Sequence, residues 1–277
     1  MAAILTVVAT PIGNLGDLSP RAAEALHTAD LVLAEDTRRT GKLLQHIGSQ
    51  VPQRSLHDHN ERDRIDEVLA VLAEGRRVVL VSDAGTPAVS DPGYRLIAAA
   101  VAAGIRIEPI PGPSAVLAAL VASGLPSDRV AFDGFLPRKG AARSERLAAL
   151  ATERRTMVLF ASPRRASADL GDLAAALGAD RRAVVARELT KLHEQLLRGT
   201  LGELASTTSQ GLRGEVTIVI DGAPDPVAAP VSAAELVRRV RDLIATGVSK
   251  KQAIATVAEA AQVPKRDVYQ AVVDAGS

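Results

Sequence analysis

The sequence predicts two consecutive α/β domains followed by a small helical module, and three observations carry this prediction. Short apolar runs alternate with amphipathic segments through the first 222 residues, which is typical of sheets covered by helices. Gly, Pro, Ser and Asp gather directly after the apolar runs. After a Pro- and Ala-rich stretch the pattern becomes helical. We therefore predict domains at 1–124 and 125–222, a linker at 223–231 and a helical module at 232–277.

The first domain is predicted to hold a mostly parallel sheet with helices on both faces. Its strands are "ILTVVA", "DLVLAE", "QRSLH", "RRVVLVS" and "IRIEPI". The intervening helices are predicted to open at Ser19-Pro20, Asp91-Pro92 and Pro113-Ser114, and two more are predicted to be capped by Thr37 and Asn60, because these residue types suit a helix start.

The second domain repeats the alternation, with strands "VAFDGF", "TMVLFAS", "AVVARE", "EQLLRG" and "EVTIVID" and helices near 140–153, 163–177 and 201–209. The last 46 residues read as three short helices that begin with Ser or Pro and resemble a helix-turn-helix. This module could contact nucleic acid through Lys250, Lys251, Lys265 and Arg266. It could equally serve packing or dimerisation.

Composition narrows the class of protein. The 277-residue chain has no cysteine, which excludes disulfides, zinc-thiolate sites and a cysteine nucleophile and agrees with a reducing compartment. It shows no basic signal-peptide region and no apolar run of membrane-spanning length, so we expect a cytoplasmic protein.

The net charge of +1 does not indicate nucleic acid, but residues 136–165 hold 8 basic and 2 acidic residues. That stretch is either a nucleic-acid footprint or a solvated arginine-rich face.

A ligand site is predicted where the strands of the first domain end, because open α/β sheets bind ligands beyond the carboxyl ends of their strands. The richest of these loops, "SDAGTPAVSDPG", carries two acidic turns and no lysine. Dinucleotide and P-loop motifs and a G-x-S-x-G elbow are absent. His57, Asp58, His59 and Glu61 allow a metal site, although ordinary hydrogen-bonding roles are favoured. The site suits a small polar or cationic ligand held by main-chain contacts.

Ten motifs in order resemble the tetrapyrrole-methylase superfamily, and more closely its ribosomal RNA branch. They are "TPIGNLGDLSPRA", "AEDTRRTGKLL", "SLHDHNE", "VSDAGTPAVSDPGYR", "PIPGPSA", "SGLPSDR", "GFLPRKG", "ASPRR", "RELTKLHE" and "RGTLGEL…GEVTIVI". The resemblance covers about residues 4–222 together with the C-terminal helical module. It implies S-adenosylmethionine (AdoMet) in the cleft between two α/β domains, a homodimer, and 2′-O-methylation of a cytidine ribose in the decoding region of 16S rRNA in the small ribosomal subunit.

Carried over by motif, the residues expected to contact AdoMet are Pro11, Ser82, Asp83, Ala84, Gly85, Val89, Ser90, Asp91, Ser114, Ala115, Phe160, Ala161, Leu189 and Thr190, with the segment near Glu215 and Val216. This sequence departs from the family pattern at Ala9 and Ala88, where Gly is usual, and at "FASPRR", where Ala161 replaces a carboxylate and Arg164 a histidine. We interpret the change at Ala161 as evidence that the carboxylate is not the catalytic base.

Proton removal from a 2′-hydroxyl calls for a general base or a polarising group. The candidates are Glu35, Asp36, His57, His59, Glu61, Glu188 and Lys191. The residues expected to hold RNA phosphates are Arg38, Arg39, Arg138, Lys139 and Arg143. Two alternatives stay open: carbon methylation of a tetrapyrrole, and a nucleic-acid-binding protein that senses AdoMet without catalysis.

Overall fold

A computed structural model describes residues 3–224 and 231–275 of the chain. It separates into two compact units, one ending at Ala223 and the other beginning at Pro224. Residues 225–230, most of the predicted linker, lie outside the described residues. The predicted fold class, two α/β domains and a helical module, is confirmed. No helix among the described residues has the length and apolarity needed to cross a bilayer.

The first sheet is entirely parallel, with the strand order β3-β2-β4-β1-β5. Its strands are β1 (Ile4–Val8), β2 (Leu31–Ala34), β3 (Gln53–Ser55), β4 (Val78–Val81) and β5 (Arg106–Ile110). A short 3-10 turn at Leu15–Asp17 follows β1. The helices are α1 (Pro20–Thr28), α2 (Thr37–His46), α3 (Glu61–Ala73), α4 (Tyr94–Ala102) and α5 (Ala115–Ser123). Because all five strands run the same way, their carboxyl ends meet at one edge.

Apolar side chains cover both faces of this sheet, which explains the near-continuous apolar runs of its central strands. Every residue of β2 and β4 is buried. Leu33 and Leu80 pack with Leu56 and Leu72 on one face. Val32 and Val79 pack with Leu26, Leu43 and Leu44 on the other. The helices are thus fixed on both sides of the strands, and the loops between them converge on the carboxyl edge.

The structure corrects the predicted caps of two helices and the predicted start of a third. Asp36, not Thr37, caps α2, since its carboxylate accepts a hydrogen bond from the Arg38 amide at 2.9 Å. Asn60 precedes α3, but its side chain accepts from the His57 amide instead of capping the helix. Helix α4 begins at Tyr94 after Gly93, so Asp91-Pro92 does not open it.

The second sheet is mixed, with the order β6-β7-β10-β8-β9, and only β6 and β7 are parallel neighbours. Its strands are β6 (Val130–Phe135), β7 (Thr156–Ala161), β8 (Arg182–Arg187), β9 (Gln195–Thr200) and β10 (Val216–Ile220). Its helices are α6 (Ala141–Ala151), α7 (Ala166–Leu177) and α8 (Leu201–Thr207). The central position of β10 brings its first residues beside the end of β7, where Val216 faces Ala161.

The C-terminal unit is a bundle of α9 (Ala233–Ala245), α10 (Lys250–Ala261) and α11 (Lys265–Asp274). Ser232 and Ser249 cap the first two helices, as their place before each apolar pattern suggests. Helix α11 follows Pro264 and has no side-chain cap. The core of the bundle is aliphatic and includes Leu236, Val240, Ile254, Val257 and Val268.

Candidate methyl-transfer site

A cavity of about 540 Å³ lies between the two sheets of the first unit. The first sheet contributes loops that follow β1, β4 and β5, and the second contributes β6, the end of β7 and the start of β10. The lining residues are Ile12, Ala84, Gly85, Thr86, Val89, Ser90, Asp91, Ser114, Ala115, Val116, Phe132, Phe135, Phe160, Ala161, Ser162, Pro163, Glu215, Val216 and Thr217. The volume is that of a typical small-molecule site.

The cavity holds all three phenylalanines of the chain. Phe160 meets Phe132 and Phe135 with ring centroids 5.0 and 5.6 Å apart. Phe132 and Phe135 are 37% and 56% exposed, so these rings serve the cavity wall more than the core. Of the three, sequence reasoning placed only Phe160 at the site. The scarcity of aromatic residues was the available signal, since the interior is otherwise filled by aliphatic side chains.

The loop after β4 forms the opposite wall. Gly85 exchanges two backbone hydrogen bonds with Thr10, of 2.8 and 3.1 Å, and so joins this loop to the one after β1. Ala88 and Ser90 adopt φ of 66° and 64°, the left-handed region that L residues avoid. Gly134 of β6 lies close to this loop, because a Cβ at position 134 would lie 3.0 Å from the Ser90 hydroxyl oxygen. The wall is therefore backbone-rich and held in one shape.

The described charged residues of the cavity lining are all acidic. Asp91 and Glu215 line it, and no lysine or arginine within residues 3–224 does. Burial, followed by the charge of Glu35, raises the pKa of Asp91 to about 6, against a weaker opposing hydrogen bond from Ser82. Burial, followed by the charge of Asp83, raises the pKa of Glu35. Such crowding of carboxylates favours a cationic ligand over an anionic one.

The structure divides the predicted AdoMet contacts into two groups. Nine line the cavity: Ala84, Gly85, Val89, Ser90, Asp91, Ser114, Ala115, Phe160 and Ala161. Five do not: Pro11, Ser82, Asp83, Leu189 and Thr190. Asp83 lies behind the wall, where its carboxylate accepts from the Asp36 amide at 2.9 Å and pairs with Arg39 at 3.4 Å. Asp83 therefore shapes the rim of the cavity from outside its lining.

Glu61, predicted as a catalytic candidate, is in the wrong place for that role. Its side chain is 2% exposed and is absent from the cavity lining. Its carboxylate accepts from the backbone amides of Gly93 and Leu96 and pairs with Arg95 at 3.4 Å. It therefore supplies the cap of α4 that Asp91 was predicted to supply.

The remaining catalytic candidates lie around the cavity rather than in its lining. Lys191 bridges Glu188 at 2.9 Å and Glu215 at 3.0 Å. The Lys191 ammonium, followed by the backbone amide of Glu215, lowers the pKa of Glu188. Asp36 is held by Arg38. His57 packs edge-on against His59, and its Nδ1 is buried without a hydrogen-bond partner. Among the described residues no three His, Asp or Glu side chains converge as metal ligands.

One predicted RNA contact is wrong. Arg143 is buried and its guanidinium is held by Asp169 at 2.7 Å, Asp172 at 2.6 Å and the carbonyl of Pro137 at 2.8 Å. It stabilises the second domain and cannot meet a phosphate. Arg38, Arg39, Arg138 and Lys139 are exposed.

The chain belongs to the tetrapyrrole methylase family. The model of that family, described as Tetrapyrrole (Corrin/Porphyrin) Methylases, matches residues 5–205. The fold and the acidic cavity between its two sheets thus define a methyltransferase of this family.

Curated relatives show which members of the family this chain resembles. A protein of Synechocystis sp. named ribosomal RNA small subunit methyltransferase I is 50% identical over 268 residues, 96% of each chain. One of Mycobacterium tuberculosis with the same name is 48% identical over 271 residues, 97% of this chain and 94% of its own.

Solved structures support the fold alone. Uroporphyrin-III-C-methyltransferase from Thermus thermophilus aligns with a TM-score of 0.58 and 21% identity, over 79% of this chain and 94% of that one. Diphthine synthase aligns with a TM-score of 0.60 and 20% identity, over 79% and 89%. Because their names indicate different substrates, the shared fold does not define the methyl acceptor.

Proposed function

We propose that this protein transfers a methyl group from AdoMet to the 2′-oxygen of a cytidine ribose in the decoding region of 16S rRNA. The carrying observation is the cavity between the two sheets, in which the only charged side chains among the described lining residues are acidic. The names of relatives at 44–50% identity support small-subunit rRNA as the substrate.

The cavity fits AdoMet in chemistry as well as in volume. When bound, AdoMet supplies an electrophilic methyl group on a positively charged sulfur. The phenylalanine cluster offers flat apolar surface to an adenine ring, and aromatic faces attract cations. Asp91 complements positive charge, and no lysine or arginine among the described lining residues would repel it.

The chain's own residues would align the acceptor and receive its proton. A loop fixed by the Thr10–Gly85 pairing gives a rigid wall, so little reorganisation is needed to bring the reacting atoms together. Asp91 is the carboxylate best suited to receive the proton, because its pKa of about 6 leaves it ionised near neutral pH yet more basic than an ordinary aspartate. Glu35 contributes by raising that pKa.

RNA would approach along the exposed basic residues Arg38, Arg39, Arg138 and Lys139. We also propose a homodimer. Leu117 and Val121, one turn apart on α5, are 60% and 77% exposed and would be covered by a second subunit. A ribosomal substrate would place the protein in the cytoplasm.

The test supplies methyl-labelled AdoMet with, separately, small subunits lacking this methylation, free 16S rRNA and uroporphyrinogen. We expect label in rRNA, located by nuclease digestion and mass spectrometry on the ribose of a decoding-region cytidine. Asp91→Asn should reduce transfer, whereas Glu145→Gln, an exposed carboxylate on α6, should not.

Label in uroporphyrinogen and none in RNA would overturn the proposal in favour of carbon methylation. Binding of AdoMet without transfer to any acceptor would overturn it in favour of a sensor.

A further inference from the structure

The C-terminal unit carries a basic concavity that the methyl-transfer site does not use. Its volume is about 540 Å³, and it is lined by Lys250, Lys251, Ile254, Lys265, Arg266 and Tyr269. Helices α10 and α11 contribute three residues each. The concavity belongs to this unit alone.

The two helices present the same pattern. Each begins with two basic residues, Lys250-Lys251 in α10 and Lys265-Arg266 in α11, and each places a large side chain four residues after the first. At 100° per residue these three positions fall within one third of the helix circumference. The acidic residues Glu259 and Asp274 fall on the far side of their helices, whereas Asp267 directly follows Arg266 and pairs with it. Apart from Asp267, charge is therefore separated within each helix.

The basic side chains are available to a ligand. Lys250, Lys251 and Lys265 are exposed and make no ion pair with any described residue, and Arg266 meets only its exposed neighbour Asp267, at 3.0 Å. By contrast, Arg238 and Arg239 of α9 are both tied to Glu235, at 2.7 and 2.8 Å. The unit thus separates its basic residues into a paired set and an open set.

The position of these cations is unfavourable for the helices themselves. Positive charge in the first turn opposes the helix macrodipole. Helix α11 also lacks a side-chain cap. A bound anion would offset both effects, because it pairs with the side chains and with the free amides of the helix starts.

Tyr269 adds a second kind of contact. It is one of only five aromatic residues in the chain, lies beside the four cations and is 56% exposed. An exposed ring among cations is the combination that binds nucleotides, with the charges on phosphates and the ring stacked on a base.

We propose that the face formed by Lys250, Lys251, Lys265, Arg266 and Tyr269 binds unpaired RNA, with phosphates on the four cations and a base on the tyrosine ring. The choice of RNA over DNA rests on the proposed function. The charge and stacking arguments do not depend on it.

The test measures binding of a fluorescein-labelled decoding-region RNA to the full-length protein by anisotropy across a salt series. Lys250→Gln with Lys251→Gln should weaken binding roughly tenfold at 0.1 M salt and reduce the slope of log K against log salt by about 1.4. Lys265→Gln with Arg266→Gln should do the same from the other helix. The matched control, Arg238→Gln with Arg239→Gln, removes equal charge from the paired set and should leave both quantities unchanged.

Tyr269→Leu should weaken RNA binding at least about fivefold. Tyr269→Phe keeps an aromatic ring and should bind RNA as tightly as the wild type. Equal weakening by the control pair would overturn the proposal, as would equal binding by the leucine and phenylalanine variants. Competition by DNA of the same sequence or by polyglutamate as effective as that of RNA would also overturn it.

Methyl transfer measured on the same proteins separates the two proposals. Face-dependent RNA binding without any transfer would overturn the proposed function and leave this surface standing. Methyl transfer to rRNA, together with RNA binding that does not change when the four cations are removed, would support the proposed function and overturn the RNA-binding face.

Discussion

The carboxylate of Glu61, at the start of α3, accepts a hydrogen bond of 3.2 Å from the backbone amide of Gly93. It also accepts one of 3.0 Å from Leu96 and pairs with Arg95, while almost fully buried. Glu61→Ala would leave two amides unpaired and a small cavity, so we expect a loss of about 3 kcal/mol in unfolding free energy. Urea denaturation of the purified variant measures this loss.

Glu61→Gln keeps one acceptor oxygen and the shape of the side chain, so its loss should be smaller, about 1–2 kcal/mol. If both variants unfolded at the wild-type urea concentration, the capping role would be refuted.

Asp91 should make stability depend on pH. Its pKa is raised in the folded protein to about 6, so the proton is bound more tightly in the folded than in the unfolded state. The resulting stabilisation is present below about pH 4 and is lost as pH rises through 6. Asp91→Asn should therefore be more stable than the wild type at pH 8, by about 1 kcal/mol after solvent screening of this partly exposed group, and the difference should vanish near pH 4. Thermal melting across this range checks the sign.

Ala88 has a conformation that glycine adopts more easily, with φ of 66°. Ala88→Gly removes a penalty of about 1–2 kcal/mol and adds unfolded-chain entropy of about 0.4–1 kcal/mol. We expect a net gain of about 0.5–1 kcal/mol in unfolding free energy. Ala84→Gly, in the same loop but without a positive φ, serves as the control and should lose stability.

Asp83→Ala should weaken AdoMet binding although Asp83 is not in the cavity lining. Its carboxylate holds the Asp36 amide and Arg39, so its loss would free the rim beside Glu35 and remove a charge that complements a cation. Isothermal calorimetry should show affinity reduced roughly tenfold, in line with one charged hydrogen bond. Unchanged affinity would exclude the rim from the site.

Arg143→Gln should affect stability and not RNA binding. Two aspartates and a carbonyl hold the buried guanidinium, and its removal would leave the buried Asp169 with only the longer 3.6 Å contact to Arg165, at a cost of about 3 kcal/mol. Arg138→Gln, on the exposed surface nearby, should weaken RNA binding and leave the stability unchanged.

The loop pattern alone located the cavity from one side, and the family resemblance supplied Phe160 and Ala161 on the other. The loops after β1, β4 and β5 were predictable as ligand walls because parallel strands end at one edge. Phe132 and Phe135 were not, since strand periodicity gives two faces and does not say which one meets a cavity. Arg143 was misread because charge counting does not reveal burial.

The prediction of helix starts failed for a related reason. Asp91-Pro92 has the local signature of a cap, but the capping carboxylate of α4 comes from Glu61 on another helix. Such a tertiary contact leaves no mark on the local pattern. The same limit explains why Glu61 looked catalytic.

The scarcity of aromatic residues also gives the protein a simple optical signature. The chain has no tryptophan and two tyrosines, Tyr94 on α4 and Tyr269 on α11, one in each compact unit. Tyrosine emission therefore comes from two side chains, and Tyr94→Phe would leave Tyr269 as its sole source. Quenching of that emission by added nucleotides would report on the C-terminal unit alone, without an attached label.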